Sequence, residues 1–349
     1  MMEQYTRFPA EWEKQSFLQL TFPHENSDWK YMLKDVTQCF VEIAENASRF
    51  QDVLLVCDDI HRVKSFFKKT DNICFVQVDS NDTWARDHGG ITVFGQGKTV
   101  VHDYIFNGWG KKFEAGLDNR ITQKLFAKGV FENCSVKSFD FVLEGGSLES
   151  DGNGTILTTA ECLLSKNRNE KYLQEEIEIY LKENLGANRI LWLESGYLAG
   201  DDTDSHIDTL ARFCDENTIA FVGCNHPDDE HFEALQKMKN ELLQFRNREG
   251  QPYRLIELPF PDACFDEEGN RLPATYANFT IINGAVLVPV YGVKQDNAAL
   301  KILQQCFPEK EIIGINCRVL IEQHGSLHCV TMQYPESVGL NKKLLQNNG

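Results

Sequence analysis

The feature that most constrains this chain is a recurrence of short strand pairs separated by helical segments. Four stretches, which start at Asp87, Glu144, His206 and Tyr276, each hold two apolar runs around a short polar or glycine-containing turn, and this pattern predicts hairpins. A fifth stretch from His324 has strand character but no evident partner. Apolar residues spaced three and four apart predict helices in the intervening segments 27–50, 58–69, 115–131, 161–185, 228–248 and 297–306.

Repeated units of strands and a helix must pack on one another, because one unit alone cannot bury its apolar face. Closing five such units into a ring would remove the open ends. We therefore predict one α/β domain over residues 1–349 with pseudo-five-fold symmetry, since no linker or low-complexity tract interrupts the chain. An ordinary α+β domain whose hairpins merely look alike is the alternative.

Composition narrows the class of partner. The formal net charge of −17 argues against a nucleic-acid partner, whose phosphates require a basic surface, and is compatible with a small cationic substrate. The start of the chain has no basic segment followed by an apolar run, and no apolar stretch is long enough to span a bilayer. We expect a cytoplasmic protein with no membrane partner. The sequence does not determine whether it forms a homo-oligomer.

The cysteines predict reduced thiols. Their number, 11, is odd, their spacing is irregular, and most lie in apolar surroundings, which is typical of a cytoplasmic protein. No C-x-x-C pair occurs, so a structural zinc site is not expected.

Equivalent units would bring the residues at the heads of the hairpins together at the centre of the ring. Those residues are Asp87, Glu144, His206 with Asp208, and Cys329. If 206–208 is a strand, His206 and Asp208 lie on the same face. Each residue alone is more often structural than catalytic. Together they predict a centre that holds a thiol, an imidazole and three carboxylates.

Several ordered motifs carry a resemblance to a known family. TWARDHGG, LEGGSLESDGNGTILTTAECLL, DDTDSHIDTLARF, YANFTIINGAVLVPVYG and GSLHCVTMQ resemble the motifs of the agmatine deiminase and bacterial peptidyl-arginine deiminase family, within the guanidino-group modifying (pentein) superfamily. The opening FPAEWEKQSFLQLTFPHENSDW and the segment FNGWGKKF are similar to it as well. The resemblance implies a five-bladed α/β propeller of ββαβ units, which agrees with the repeat pattern.

The resemblance also implies a role for each central residue. Asp87 and Asp208 would hold the planar guanidinium in paired hydrogen bonds, and Cys329 would attack its central carbon to give a covalent thiouronium. His206 would protonate the departing ammonia and then activate water, with Glu144 orienting it. No metal or organic cofactor is required.

Other candidates have weaker support. By resemblance, Trp84 lines the substrate channel, and Asp202 matches a loop position near the distal ammonium of the substrate. Their alternatives are a core tryptophan and an acidic turn. Trp109 is predicted to anchor a loop at the substrate site. We expect Arg86 to pair with a neighbouring carboxylate, and His328, as the neighbour of Cys329 on a strand, to point to the opposite face.

The chain departs from the common family pattern near the predicted substrate site. The family often has G-G-G-N-I-H-C before and including the cysteine, whereas this chain has QHGSLHC, and Ser205 stands where a glycine often precedes the histidine. We predict an agmatine deiminase that produces N-carbamoylputrescine and ammonia for putrescine biosynthesis. The alternatives are a deiminase of peptidyl-arginine or another small guanidine, an amidinotransferase, and a non-catalytic cation-binding module.

Overall fold

Apolar strands paired by polar turns form most of the structure, a computed structural model that describes residues 6–95 and 97–346. Gln96, in the first predicted hairpin, and residues 1–5 and 347–349 of the predicted domain lie outside the described residues. The strands are β1 Gln15–Thr21, β2 Asp52–Cys57, β3 Ile73–Gln77, β4 Ile91–Gly95, β5 Lys98–Ile105, β6 Phe131–Glu132, β7 Ser135–Val142, β8 Glu149–Ser150, β9 Thr155–Thr159, β10 Arg189–Leu193, β11 Ala211–Asp215, β12 Thr218–Val222, β13 Arg254–Leu258, β14 Cys264–Phe265, β15 Arg271–Leu272, β16 Thr280–Ile282, β17 Ala285–Val290, β18 Glu311–Asn316, β19 Met332–Pro335 and β20 Gly339–Leu340.

The predicted helices follow the apolar spacings, and all are shorter than predicted except the one expected over 297–306, which begins one residue earlier. The helices are α1 Leu33–Ala47, α2 Ile60–Lys64, α3 Ala85–His88, α4 Gly108–Lys111, α5 Ile121–Ala127, α6 Ala160–Leu163, α7 Lys166–Asn169, α8 Gln174–Leu185, α9 Phe232–Gln244, α10 Asp296–Cys306 and α11 Lys342–Gln346. The helix predicted over 161–185 is divided into α6, α7 and α8, and in α7 Arg168 bonds to Glu144 while Asn169 bonds to the backbone of Val142. Among the described residues, no helix is long and apolar enough to cross a membrane.

Five sheets share one connectivity, in which an antiparallel strand pair is followed by a helix and a parallel strand. Four of them are β4-β5-β7, β8-β9-β10, β11-β12-β13 and β16-β17-β18, with α5, α8, α9 and α10 before their last strands. The fifth is β19-β1-β2-β3, in which β19 pairs antiparallel with β1 and β1 pairs parallel with β2. The predicted α/β class and the first four hairpins are confirmed, and the partner of the fifth stretch is the first strand of the chain.

Helices cover the sheets with apolar faces. In α8, Ile177, Leu181 and Leu185 recur every four residues and are buried, and α9 buries Leu235, Met238 and Leu242, which are spaced three and four apart. The chain takes a different form just before the first strand of several units, where the predicted site residues lie. Short helical turns, rather than strands, precede the first strand of several units: α3 precedes β4, and single turns of 3-10 helix at Gly145–Ser147 and Ile207–Thr209 precede β8 and β11.

Candidate active site

Acidic and aromatic side chains line a pocket of about 420 Å³. Its lining residues are Asp28, Asp82, Trp84, Asp87, Trp109, Phe113, Asp202, Thr203, Gln323, His324, Gly325 and Cys329. Four of these residues are aspartates and none is lysine or arginine, within the part of the chain that the structure describes. The pocket is therefore suited to an organic cation with an apolar stem.

Asp87 lies in the short helix α3 and is held by two donors. The indole N–H of Trp109 donates to Asp87 Oδ2 at 2.8 Å, and the backbone N–H of Gly146 donates to Asp87 Oδ1 at 3.0 Å. Trp109 reaches it from a backbone with φ 52°, in the left-handed region. Asp87 is 3% exposed, so its carboxylate is buried.

Three of the predicted residues converge on Gly146. A Cβ at that position would lie 2.6 Å from His206 Nδ1, 2.8 Å from Asp87 Oδ1 and 3.1 Å from Asp208 Oδ2, so only glycine fits among them. The expectation of a strand at 206–208 is wrong, because Ile207–Thr209 is a 3-10 turn. This turn, rather than a strand, places the side chains of His206 and Asp208 next to Gly146 and close to Asp87.

Cys329 lies in a turn that ends before β19 begins at Met332. Its thiol is 3.4 Å from Asn278 Oδ1, which also accepts hydrogen bonds from the backbone N–H groups of Cys329 and His328. Asn278 Nδ2 donates to the carbonyl of Asp208 at 3.2 Å. Asn278 thus joins two of the predicted residues. It was not predicted as a site residue, although it lies at the head of the fourth hairpin and the other hairpin heads were predicted to meet at the centre.

Glu144 lies close to His206 but does not bond to it. Oxygens of Glu144 accept from Arg168 Nε at 2.9 and 3.0 Å, and a carboxylate oxygen of Glu144, the Cys162 sulfur and a ring nitrogen of His206 lie within 4.8 Å of one another. Neither ring nitrogen of His206 has a hydrogen-bond partner among the residues with described positions. No sequence pattern pointed to Arg168.

Among the described positions, two buried clusters of side chains contain groups that could ligate a metal ion, and in each cluster an arginine bonds the carboxylates. Arg168 neutralises the cluster of Glu144, Cys162 and His206. Arg212 bonds both carboxylates of the second cluster, Glu11 and Glu149, which lie next to His328. The carboxylates of each cluster are therefore already paired with a buried arginine.

Trp84 and Asp202, which are predicted to contact the substrate away from the central residues, both line the pocket. Trp84 packs over Gly325, where a Cβ would come within 2.1 Å of the indole ring, and its N–H donates to Asp82. The Asp202 carboxylate lies 3.9 Å from His324 Nε2, and both side chains are more than a third exposed. Their contact with substrate stays a prediction.

Two expectations about neighbouring residues are wrong. Arg86 has no carboxylate partner within 4.0 Å in residues 6–95 and 97–346, and its guanidinium is instead 3.5 Å from the His328 carbonyl. His328 is not on a strand that turns it away from the centre. Its turn directs Nδ1 to Asp208 Oδ2 at 2.7 Å.

Burial and crowded carboxylates set the protonation states at the centre. Burial, with the nearby charges of Asp208 and Asp87, raises the pKa of the Cys329 thiol well above its usual value. Burial likewise lowers the pKa of His206 to about 3. Burial and the charges of Asp208 and Glu144 raise the pKa of Asp87. The resting site therefore holds a neutral thiol and a neutral imidazole, and a bound cation would relieve the repulsion between the carboxylates.

Comparison with known proteins identifies the family. Residues 7–335 match the model of the Porphyromonas-type peptidyl-arginine deiminase family. The chain belongs to this family. It is 42% identical to a C. jejuni agmatine deiminase, a cysteine-to-serine variant with substrate bound, over 98% of this chain and 99% of that one, with a TM-score of 0.91.

Two further proteins extend the family relationship. An agmatine deiminase of Enterococcus faecalis is 29% identical over 97% of this chain and 99% of its own, with a TM-score of 0.87. A putative arginine deiminase from Porphyromonas gingivalis is 50% identical over 95% of this chain and 99% of its own, with a TM-score of 0.92. Family members thus match this chain over nearly its full length.

Proposed function

We propose that this protein is an agmatine deiminase that hydrolyses the guanidinium of agmatine to N-carbamoylputrescine and ammonia in putrescine biosynthesis. One observation carries the proposal: Asp87 and Cys329 form the bottom of an acidic, aromatic pocket, with Asp208 and His206 directly behind them. The similarity to agmatine deiminases from C. jejuni and Enterococcus faecalis supports the same reaction.

The first step is nucleophilic attack. Asp87 and Asp208 accept hydrogen bonds from the guanidinium N–H groups, and its positive charge favours loss of the Cys329 proton. The sulfur then bonds to the guanidinium carbon and gives a tetrahedral adduct. His206, neutral in the resting site, takes the thiol proton and transfers it to the departing nitrogen. The C–N bond breaks, ammonia leaves, and a thiouronium remains on Cys329.

Hydrolysis completes the cycle. His206 removes a proton from water, and the hydroxide adds to the thiouronium carbon. The C–S bond then breaks, the added hydroxyl gives its proton to the departing sulfur as it becomes the carbonyl of the carbamoyl product, and His206 releases its own proton to the ammonia or to solvent. Glu144 is proposed to support the charged imidazole from within 4.8 Å, while Arg168 holds the Glu144 carboxylate in place. These steps need only side chains of this chain and water.

The rim of the pocket favours a substrate with a cation at each end. Asp202 and Asp28 line the pocket away from Cys329, so they would attract the distal ammonium of agmatine and repel the carboxylate of free arginine. The alternative within the family is deimination of peptidyl-arginine or another small guanidine. Ammonia release from agmatine, arginine and a blocked arginyl peptide tests the choice, and preferential turnover of agmatine is expected. Turnover of the peptide alone would favour the alternative.

Three further properties belong to the same proposal. The pairing of β19 with β1 supports closure of the five units into a five-bladed propeller that forms a single domain. The predicted partner is a small cationic guanidine rather than nucleic acid, consistent with the net charge of −17. The predicted compartment is the cytoplasm, which cell fractionation tests.

A non-catalytic cation-binding module remains the alternative outside enzymes. It predicts binding of agmatine without ammonia release. Calorimetry and an ammonia assay on the same sample separate the two functions.

A further inference from the structure

His328 connects the active-site carboxylate Asp208 to a buried acid outside the pocket. Its Nδ1 lies 2.7 Å from Asp208 Oδ2, and its Nε2 lies 2.8 Å from Glu11 Oε2. The ring is 1% exposed. An ionised carboxylate can only accept hydrogen bonds, so Nδ1 donates to Asp208, and Nε2 in the imidazolium form donates to Glu11.

The Glu11 end of this connection is fixed. Glu11 Oε1 accepts from the backbone N–H of Ile281 at 2.6 Å, and Oε2 also accepts from Arg212. Arg212 bonds Glu149 through Nε and is fully buried. Arg212 Nη2 also lies 3.0 Å from His328 Nε2. The imidazole therefore has a rigid anchor on the side away from the substrate.

The Asp208 end leaves one oxygen free. Oδ2 is bound to His328, whereas Oδ1 is buried and has no hydrogen-bond partner within the described ranges. The same amide, Asn278, accepts from the backbone N–H of His328 and donates to the carbonyl of Asp208. The backbone and side chain of Asp208 are thus both tied to the segment that carries Cys329.

We propose that His328 is a positioning residue, which holds Asp208 ionised and directs its free oxygen toward the guanidinium of the substrate. The inference rests on the proposed deiminase function, because it assigns Asp208 to the binding of that guanidinium. His328 itself does not line the pocket and so acts through Asp208.

The charges around Asp208 explain why such a residue is needed. Burial opposes the ionised form of Asp208, yet the hydrogen bond and charge of His328, together with the charges of His206 and Arg212, lower the pKa of Asp208. The other titratable or charged groups that interact with Asp208 are His206, Arg212, Asp87, Cys329 and Arg86. Asp87 carries the same negative charge as Asp208 when both are ionised. Without His328, one of these two carboxylates would therefore bind a proton at a higher pH.

Two substitutions separate position from charge. In His328→Asn the side-chain amide nitrogen lies near the site of Nδ1 and can still donate to Asp208, whereas in His328→Gln it lies near the site of Nε2 and donates to Glu11. We expect His328→Gln to lower kcat/KM for agmatine by about 10- to 100-fold, the effect of one charge-assisted hydrogen bond, and His328→Asn to lower it several-fold less.

The pH profile provides a readout that a purely structural role would not change. Both variants lose the imidazolium charge, so the pKa of Asp208 should rise. Because the reaction needs ionised Asp208, the acidic limb of kcat/KM should move to higher pH in both variants. His231→Gln is a matched control, since His231 is also buried and paired to a carboxylate, Asp229, but does not line the pocket. Its acidic limb should stay where it is in the unmodified protein.

The outcomes are distinguishable. Absence of ammonia release from agmatine by the unmodified protein would overturn the proposed function. If the unmodified protein is active, equal losses in both His328 variants with unmoved acidic limbs would overturn the positioning role, as would unchanged kinetics. Thermal denaturation of each variant identifies a loss caused by unfolding, and kcat/KM is then compared at temperatures at which both variants are folded.

Discussion

The floor and the rim of the pocket differ in how the chain holds them. The floor consists of Asp87 and Cys329, together with Glu144, His206 and Asp208, which lie behind them outside the pocket lining. These five residues are at most 3% exposed, and hydrogen bonds with residues distant in the chain hold the carboxylates and the thiol. The rim, formed by Asp28, Asp202, Gln323 and His324, is more exposed and lies in short helical turns and loops. A floor residue acts in low dielectric without competition from water, whereas a rim residue acts through screened charge.

The backbone of the rim includes one residue in an unfavourable conformation. His324 has φ of 64°, in the left-handed region that favours glycine. Its Nδ1 lies 2.7 Å from the Gly200 carbonyl. The rim therefore holds one residue in a conformation that costs about 1–2 kcal/mol. The chemistry should be sensitive to the floor, and the choice of substrate to the rim.

The largest effect is expected at the nucleophile. Cys329→Ser should lower kcat by at least about 10⁴-fold, because a hydroxyl is a much weaker nucleophile than a thiolate. Mass spectrometry of acid-quenched unmodified protein with agmatine should show an adduct on Cys329. The partly exposed thiol Cys134 provides a control, and Cys134→Ser should keep full activity. An adduct on another cysteine would contradict the assignment.

The next effect is expected at the proposed acid and base. His206→Ala should lower kcat by ~10²- to 10⁴-fold, the usual contribution of a general acid or base. Glu144→Gln should impair kcat more than KM, with some loss of stability because Arg168 loses a charged partner. Near-normal turnover by His206→Ala would assign the proton transfers to another group. His61→Ala, at an exposed position, is the control.

The substitution Asp87→Asn tests whether a carboxylate that binds the substrate also lowers the stability of the folded protein. Asp87→Asn should lower kcat/KM by roughly 10-fold or more, because it removes charge-assisted hydrogen bonds worth roughly 1.5–3 kcal/mol each. The folded state raises the pKa of Asp87, so its stabilising contribution exists only below the unfolded pKa and is lost as the pH rises through the folded pKa. Thermal denaturation at pH 7 should therefore show an unchanged or raised Tm, and a large fall in Tm would contradict this explanation.

The smallest effect is expected at the rim. Asp202→Asn should raise KM for agmatine by ~2- to 5-fold with little change in kcat, since exposed ion pairs contribute about 0.2–1 kcal/mol. An alkylguanidine that lacks the distal ammonium should show no such change. A loss of kcat as large as that of Asp87→Asn would remove the distinction between floor and rim.

Local patterns in the sequence predicted much of this molecule. Alternating apolar residues and polar turns predicted the hairpins, and spacings of three and four predicted the helices, because these periods record which face of an element is buried. The motifs around Asp87, Glu144, His206 and Cys329 predicted the polar residues of the floor. Boundaries were less accurate, as in the helix predicted over 161–185, which is divided into three and whose Arg168 and Asn169 form tertiary contacts that no local period records.

Only the tertiary structure decided how those residues are held. Asn278 reaches Cys329 across 51 positions, and His328 reaches Glu11 across 317, so no local period records either contact. The turns at 206–209 and 327–330 also depend on packing between units, and a strand was the wrong expectation for His206. A local pattern reports burial, whereas the partner of a buried polar group depends on which distant segment the fold brings to it. The chemical groups of the site were therefore predictable from the sequence, and their hydrogen bonds were not.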